Sequence, residues 1–150
     1  MTGPRLDARL RQLGEEVGRR EADRLAARDE ARRVAEDLRA RLERALDAFA
    51  GAAAAAGSPH LRGLLEVGPV EPDDKSVRAF QIRIERGRHE AVVVSKDRGE
   101  IMLVGPYRRG EEQGPCNPVT LAGESLADDQ GLDDALESFL EALVRQSFSR

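Results

Sequence analysis

Residues 4–49 read PRLDARLRQLGEEVGRREADRLAARDEARRVAEDLRARLERALDAF and decide the fold class of the chain. Apolar side chains recur at alternating spacings of four and three, which places them on one face of a helix wound at about 3.5 residues per turn. The first of these seam positions are Leu6, Leu10, Leu13 and Val17. The spacing predicts a long coiled-coil helix over residues 4–53.

The seam is interrupted in its middle and slips near its end. Arg20 and Arg24 occupy seam positions, where a charge costs stability, and the spacing shifts by one residue after Leu38. The apolar positions nevertheless form one stripe that a second helix can cover. The predicted dimer interface comprises Leu6, Leu10, Leu13, Val17, Ala27, Val34, Leu38, Leu42, Leu46 and Phe49.

A helix of this length buries no surface by itself, and helices gain most of their stability from packing. It would span roughly 70 Å, which is far longer than the small domain that follows. We therefore expect a homodimer formed through the N-terminal helix. The alternatives are a solvated single helix and a helix that folds back on its own C-terminal domain.

The period of the sequence changes from helical to alternating after residue 77. Phe80, Ile82 and Ile84 point to one face of a predicted strand and polar residues point to the other. Two more strands are predicted over residues 91–94 and 101–104, joined by short loops, so the three form an antiparallel meander. Residues 107–119 are predicted to be a loop that contacts a fourth short strand at 119–121.

A C-terminal helix is predicted from Leu132, with an apolar stripe that covers one face of the meander. Residues 51–57, two glycines around five alanines, either continue the helix or form a hinge before this part of the chain. The sequence thus predicts an α+β fold: a coiled-coil helix at 4–53, followed at 58–150 by a three- to four-stranded antiparallel meander with a covering helix.

Composition restricts the classes of function. Residues 1–50 carry 12 basic and 11 acidic side chains, and residues 51–150 carry 12 and 17, so neither part is a basic module and nucleic-acid binding is not indicated. The excess of arginine over lysine, 22 to 2, is typical of a GC-rich genome, and we expect a bacterial one. No apolar run is long enough to span a membrane. A single cysteine fits a reducing, cytoplasmic environment.

Few residues in the sequence could carry chemistry. Cys116 would need a histidine base, and only His60 and His89 exist, so a loop thiol is the preferred interpretation of Cys116. Histidine and cysteine show no metal-ligand spacing. The acidic run at Asp128, Asp129, Asp133 and Asp134 is interpreted as helix-capping charge instead of a cation site. We predict no catalytic residue, no cofactor and no metal.

One charged surface could bind a partner or an anion. It combines basic residues of the sheet and its turns: Arg83, Arg86, Arg88, Arg108 and Arg109. Such a patch could bind an acidic peptide, a phosphate or a nucleic-acid backbone, and the absence of aromatic platforms from these strands disfavours single-stranded nucleic acid. The alternative is an ordinary solvated face, because Glu85, Glu90 and Glu100 are interleaved with these residues.

The sequence therefore predicts a non-enzymatic adaptor or scaffold that dimerises through its N-terminal helix and presents a small α+β domain to another protein. The alternative function is a regulatory domain that senses a small anion through the loop 105–118, with Arg108 and Arg109 as the binding cations.

Overall fold

The structure is a computed structural model and describes residues 3–73, 76–97, 99–111, 115–120 and 129–148, with the backbone alone at 76–78. A single 3₁₀ turn, Pro59–Leu61, follows the first helix. The helices and strands, in chain order, are α1 (Pro4–Ala55), β1 (Glu66–Val67), β2 (Glu71–Asp73), β3 (Ser76–Arg86), β4 (His89–Lys96), β5 (Glu100–Arg108), β6 (Cys116–Thr120) and α2 (Gln130–Ser147).

The predicted α+β arrangement is confirmed. All strand pairs are antiparallel, and the order across the sheet is β1-β3-β4-β5-β6, with β2 also paired to β3. The meander β3-β4-β5 lies at the centre, as the alternating pattern predicts. The short strands β1 and β2 are not predicted from the sequence, because they pair through backbone groups and have little apolar pattern of their own.

The chain after residue 104 differs from the prediction. Strand β5 does not stop at Gly105 and Pro106 but continues to Arg108, where it pairs with His89. A bulge opposite residues 90–92 takes up one extra residue. Gly105 allows this with a φ of 103° and lies where a Cβ would come within 3.1 Å of the Glu90 carbonyl oxygen. The fourth strand is β6, so most of the predicted loop belongs to a hairpin.

Helix α2 begins with a polar cap and continues with an apolar stripe. The Asp129 side chain accepts a hydrogen bond of 2.9 Å from the Leu132 amide. Asp128, also predicted to cap this helix, lies outside the described residues. The buried positions of the stripe are Leu132, Leu136, Phe139, Leu143 and Ser147.

Both helices cover the same face of the sheet. The second half of α1 packs on β3 and β4, while α2 packs on β4, β5 and β6. Between them lies one continuous apolar core, to which each helix and the central strands contribute. Its members include Ala31, Ala35, Leu38, Leu42, Leu46, Phe80, Ile82, Ile84, Ala91, Val93, Ile101, Leu103, Leu132, Leu136, Phe139 and Leu143. Residues 31–50 of α1 are thus part of the same core as the C-terminal sheet.

Polar and aromatic contacts fix α1 on this surface. The buried hydroxyl of Ser95 donates a 2.9 Å hydrogen bond to the carbonyl oxygen of Ala31, where burial of the helix begins. Arg41 forms an ion pair with Asp133 of α2. The rings of Phe49 and Phe148 lie 5.8 Å apart at the other end of the helix pair. These contacts define the register of α1 along the sheet.

Truncation of a core leucine of α1 tests this packing. Leu38 is fully buried, so we expect Leu38→Ala to lower the free energy of unfolding by about 2–5 kcal/mol, through lost apolar contact and the cavity left behind. Chemical denaturation followed by circular dichroism measures this change.

The matched control is Leu25→Ala on the same helix. Leu25 is 50% exposed, so its truncation should change the free energy of unfolding by no more than about 0.5 kcal/mol. Equal losses in the two variants would contradict the burial of α1 against the sheet.

Candidate functional site

The first half of α1 extends beyond the sheet. None of residues 4–30 is buried, whereas burial begins at Ala31. We call residues 4–30 the overhang, which is about 40 Å long at 1.5 Å per residue. Three of its seam side chains are largely exposed: Leu6 (45%), Leu10 (56%) and Val17 (54%). The overhang therefore presents apolar side chains that no described part of this chain covers.

The exposed seam and the buried stripe of α1 lie on the same face of the helix. Val17 and Ala31 are fourteen positions apart, close to four complete turns at about 3.6 residues per turn. The sheet lies against this face from Ala31 onward. The stripe thus has two parts. The chain's own sheet covers the part from Ala31 onward, and the part on the overhang is exposed.

The predicted dimer interface is divided by this arrangement. Leu38, Leu42 and Leu46 are buried in the core of their own chain, and Val34 and Phe49 are partly buried at its border. The structure accounts for their apolar character without a second chain. Leu6, Leu10, Leu13, Val17 and Ala27 remain on the overhang, and for them a dimer interface stays a prediction. Periodicity identifies a stripe, but it does not identify what covers each part.

The second surface is the face of the sheet opposite the helices, which we call the open face. Ala79, Val92 and Val94 lie at its centre, with Met102 and Val104 partly buried beside them. In the described part of the chain, every residue packed in this cluster comes from the sheet itself. The three central side chains are themselves buried, at 1%, 8% and 8% exposed, and Met102 and Val104 form the partly exposed border of the cluster.

A charged cluster occupies one end of the open face. We call it the Glu90 cluster, because three side chains lie around the carboxylate of Glu90, which is only 3% exposed. Arg83 donates to this carboxylate at 2.7 Å, and an Arg109 nitrogen lies 4.0 Å from it. Arg109 also pairs with Glu85 at 3.2 Å, and Tyr107 lies near enough to Glu90 for the negative charge to act on its hydroxyl. A buried carboxylate is stable here because it is paired and hydrogen-bonded.

The cluster changes the protonation behaviour of its members. Burial, followed by the negative charge of Glu90 and its hydrogen bond, raises the pKa of Tyr107 above its ordinary value. Partial burial acts to lower the pKa of the Arg83 guanidinium, but Glu90 and its neighbours outweigh this effect and the net direction is upward. Both groups therefore keep their protons, and the cluster is a fixed hydrogen-bonded network.

The five predicted basic residues are not brought together. Arg83 and Arg109 belong to the Glu90 cluster on the open face. Arg86 lies on the helix side, where its guanidinium is 3.7 Å from the centre of the Phe148 ring and donates to the Ser147 carbonyl oxygen. Arg88 and Arg108 are exposed at the hairpin end, and neither forms an ion pair with the described residues. Strand alternation already separates Arg83 from Arg86, since three positions along a strand reverse the face.

The Glu90 cluster contains one of the two arginines of the predicted anion-binding loop. That alternative function requires Arg108 and Arg109 to bind an anion together, but Arg109 is directed toward Glu85 and Glu90. The amide of Gly105 donates to the carbonyl oxygen of Pro115 at 2.8 Å and closes the described base of the hairpin. Residues 112–114 of the predicted loop lie outside the described residues.

The candidate nucleophile and base lie far apart. Cys116 pairs with Val104 and His89 pairs with Arg108, so the two positions are separated by four residues along β5, about 13 Å at roughly 3.3 Å per residue. His60 lies exposed in the 3₁₀ turn. Among the residues that the structure describes, no group of three or more His, Cys, Asp or Glu side chains is placed to hold a metal ion.

A cleft of about 210 Å³ lies at the β1-β2 edge of the sheet. Glu66, Glu71 and Glu85 line it together with Arg83, and Gly68, another lining residue, accepts a 2.8 Å hydrogen bond from Arg39 of α1. Ligand pockets usually enclose about 300–1,000 Å³, so this cleft is small for a cofactor.

Comparison of the chain with protein-family models, with curated proteins and with solved structures gives no match. Across the described ranges, no α-helix is both long enough and apolar enough to cross a membrane.

Titration of Tyr107 tests the Glu90 cluster. It is the only tyrosine and the chain has no tryptophan, so ultraviolet absorbance of tyrosinate reports this residue alone. We expect a midpoint above about 10, and a lower midpoint in Glu90→Gln, which removes the charge. Because the folded state holds this proton more tightly than the unfolded state, its contribution to stability is complete below about pH 10 and is lost as pH rises through the folded pKa.

The control for this titration is Glu100→Gln. Glu100 lies at the opposite end of β5, beside Lys96, and should leave the Tyr107 midpoint unchanged. An equal midpoint in wild type and Glu90→Gln would contradict the cluster.

Proposed function

We propose that this protein is a non-enzymatic, cytoplasmic adaptor that dimerises through the overhang of α1 and presents the open face of each sheet to another protein. The observation that carries the proposal is the division of the α1 stripe at Ala31. Leu6, Leu10 and Val17 are exposed on the same face that is buried from Ala31 onward. A second chain would remove this apolar surface from water, which is favourable in proportion to its area.

The open face supports the second half of the proposal. Its apolar centre, with Val92, Val94 and Met102, is bordered by the Glu90 cluster at one end and by Lys96 and Glu100 at the other. Since the charged groups are already paired, a partner can contact the face without leaving an unpaired buried charge. The network also holds the surface in one conformation before binding.

The remaining chemistry favours binding over catalysis. Cys116 and His89, the candidate nucleophile and base, lie on separate parts of the sheet. Cys116 is an exposed free thiol, which suits a reducing cytoplasm.

The mass of the full chain in solution tests the adaptor. We expect light scattering after size exclusion to give twice the chain mass of 16.4 kDa at high concentration. Leu10→Glu places a charge in the seam and should give the single-chain mass, with an unchanged circular dichroism spectrum because Leu10 lies outside the core.

Leu25→Glu is the matched control. It introduces the same charge on the same overhang, at a position that is equally exposed but outside the seam, and it should remain dimeric. A wild-type chain that stays at the single-chain mass across the concentration range would overturn the proposal.

A further inference from the structure

We infer that the two overhangs pair antiparallel, with Leu10 of one chain opposite Leu13 of the other and Leu6 opposite Val17. This inference rests on the proposed dimer and assigns the orientation and register of its interface. Three observations carry it: the position of the sheet on α1, the charges beside the seam, and the two arginines within it.

The position of the sheet opposes a parallel pair. Paired helices lie about 8–10 Å apart. In a parallel pair joined through this face, the two copies of Ala31 would meet, but from Ala31 onward each stripe already carries its own sheet. Each helix–sheet layer adds about 10 Å, so two straight helices cannot stay in contact through the overhang and also accommodate both sheets. An antiparallel pair places the sheets at opposite ends, where they do not meet.

The charges beside the seam are complementary in the antiparallel pair. When Leu10 faces Leu13 of the partner, the residues that flank the seam on the same side also face each other. Arg9, which precedes Leu10, then faces Glu16 of the partner, which precedes Val17. Because the pair is symmetric, this ion pair forms twice. Both side chains are exposed, and neither forms an ion pair with the described residues of its own chain. Flanking charges of this kind select orientation in coiled coils.

A parallel pair would have the opposite electrostatics. Arg20 would face Arg20 and Arg24 would face Arg24 inside the seam, because equal positions meet. Glu16 would face Glu21 of the other chain, twice. In the antiparallel register both arginines lie beyond the end of the partner helix, so the charges that interrupt the seam do not enter the interface.

Neighbouring antiparallel registers are also less favourable. A shift of one heptad toward the sheet places Leu10 opposite Arg20 and Glu16 opposite Glu16. A shift in the other direction places Arg9 opposite Arg9 and leaves Leu13 and Val17 uncovered. Among these three registers, only the inferred one pairs Leu6, Leu10, Leu13 and Val17 with one another and pairs the flanking charges with opposite signs.

The pair fits the space beside the sheet. Pro4, where the partner helix begins, would lie opposite residue 19, about 18 Å before Ala31 at 1.5 Å per residue. The interface is short, since each chain contributes a single run from Leu6 to Val17. We therefore expect a dimer whose population depends on concentration.

Distances between spin labels test the orientation. Cys116→Ser removes the native thiol, and Ala8→Cys or Ala26→Cys then places one label on the exposed outer side of each overhang. In the antiparallel pair the two labels at position 8 are offset by about 10 Å along the axis, and those at position 26 by about 44 Å, at 1.5 Å per residue. Pulsed electron paramagnetic resonance measures both distances in the dimeric full chain.

The outcomes separate this inference from the proposed function. A distance at position 26 that exceeds the distance at position 8 by tens of ångströms supports antiparallel pairing. A dimeric mass with nearly equal distances at the two positions overturns the orientation but leaves the dimer intact. A single-chain mass in wild type overturns the proposed function together with this inference.

Reversing the charge of Glu16 tests the register. Glu16→Arg brings like charges together at Arg9 of the partner, so in the antiparallel pair the dissociation constant should rise roughly fivefold. In a parallel pair the same change would relieve repulsion from Glu21, and the constant would fall. The double variant Arg9→Glu/Glu16→Arg should restore the wild-type constant. Sedimentation equilibrium of the full chain measures these constants.

Glu15→Arg is the matched control for this series. Glu15 is the preceding residue and lies on the outer side of the overhang, so the same change in charge there should leave the dissociation constant close to wild type. A fall in the constant for Glu16→Arg, or a double variant no tighter than the single one, would contradict the register.

Discussion

The packing of α1 against the sheet holds this molecule together. Leu38, Leu42 and Leu46 enter the same core as the central strands and α2, and the small side chains of Ala31 and Ala35 let the helix lie close to the sheet. Without this contact the sheet would expose its apolar face and α1 would lose most of its stability. Because the helix is longer than the sheet, the same contact also creates the overhang.

The two faces of the sheet differ in the polar groups that they bury. On the packed face, polar contacts such as that of Ser95 with Ala31 close gaps in an apolar core. On the open face, Glu90 is buried at the end of a shallow apolar surface and is neutralised by Arg83 and Arg109. A network of this kind fixes side-chain positions, which lowers the entropy lost when a partner binds.

The two surfaces together give the proposed adaptor a defined geometry. In the inferred antiparallel pair, the two copies of Ala31 lie about 60 Å apart along the axis, at 1.5 Å per residue. The sheets occupy opposite ends of a rod formed by the overhangs. A protein of this form would join two partners at a fixed separation, and its population would change with concentration because the seam is short.

The elements with a strong hydrophobic period can be predicted from the amino-acid sequence alone. The spacing from Leu6 to Phe49 predicts α1, the alternation around Ile82 predicts the central strand, and the stripe from Leu132 predicts α2, because side-chain burial imposes these periods on the local sequence. The sequence alone does not determine β1, β2 or most of β6, which pair through backbone groups that carry no side-chain pattern.

Only the tertiary structure decided which part of α1 is covered and where each charge lies. The pattern at Leu10 and the pattern at Leu42 are alike, yet one is exposed and the other buried, because the sheet ends beside Ala31. Likewise, Arg83 and Arg86 are the same residue type on the same strand, but they lie on opposite faces of the sheet. Arg83 contacts Glu90, whereas Arg86 contacts Phe148. The periodicity of a helix shows which of its faces is apolar. Which element covers that face depends on contacts between residues that are distant in the sequence.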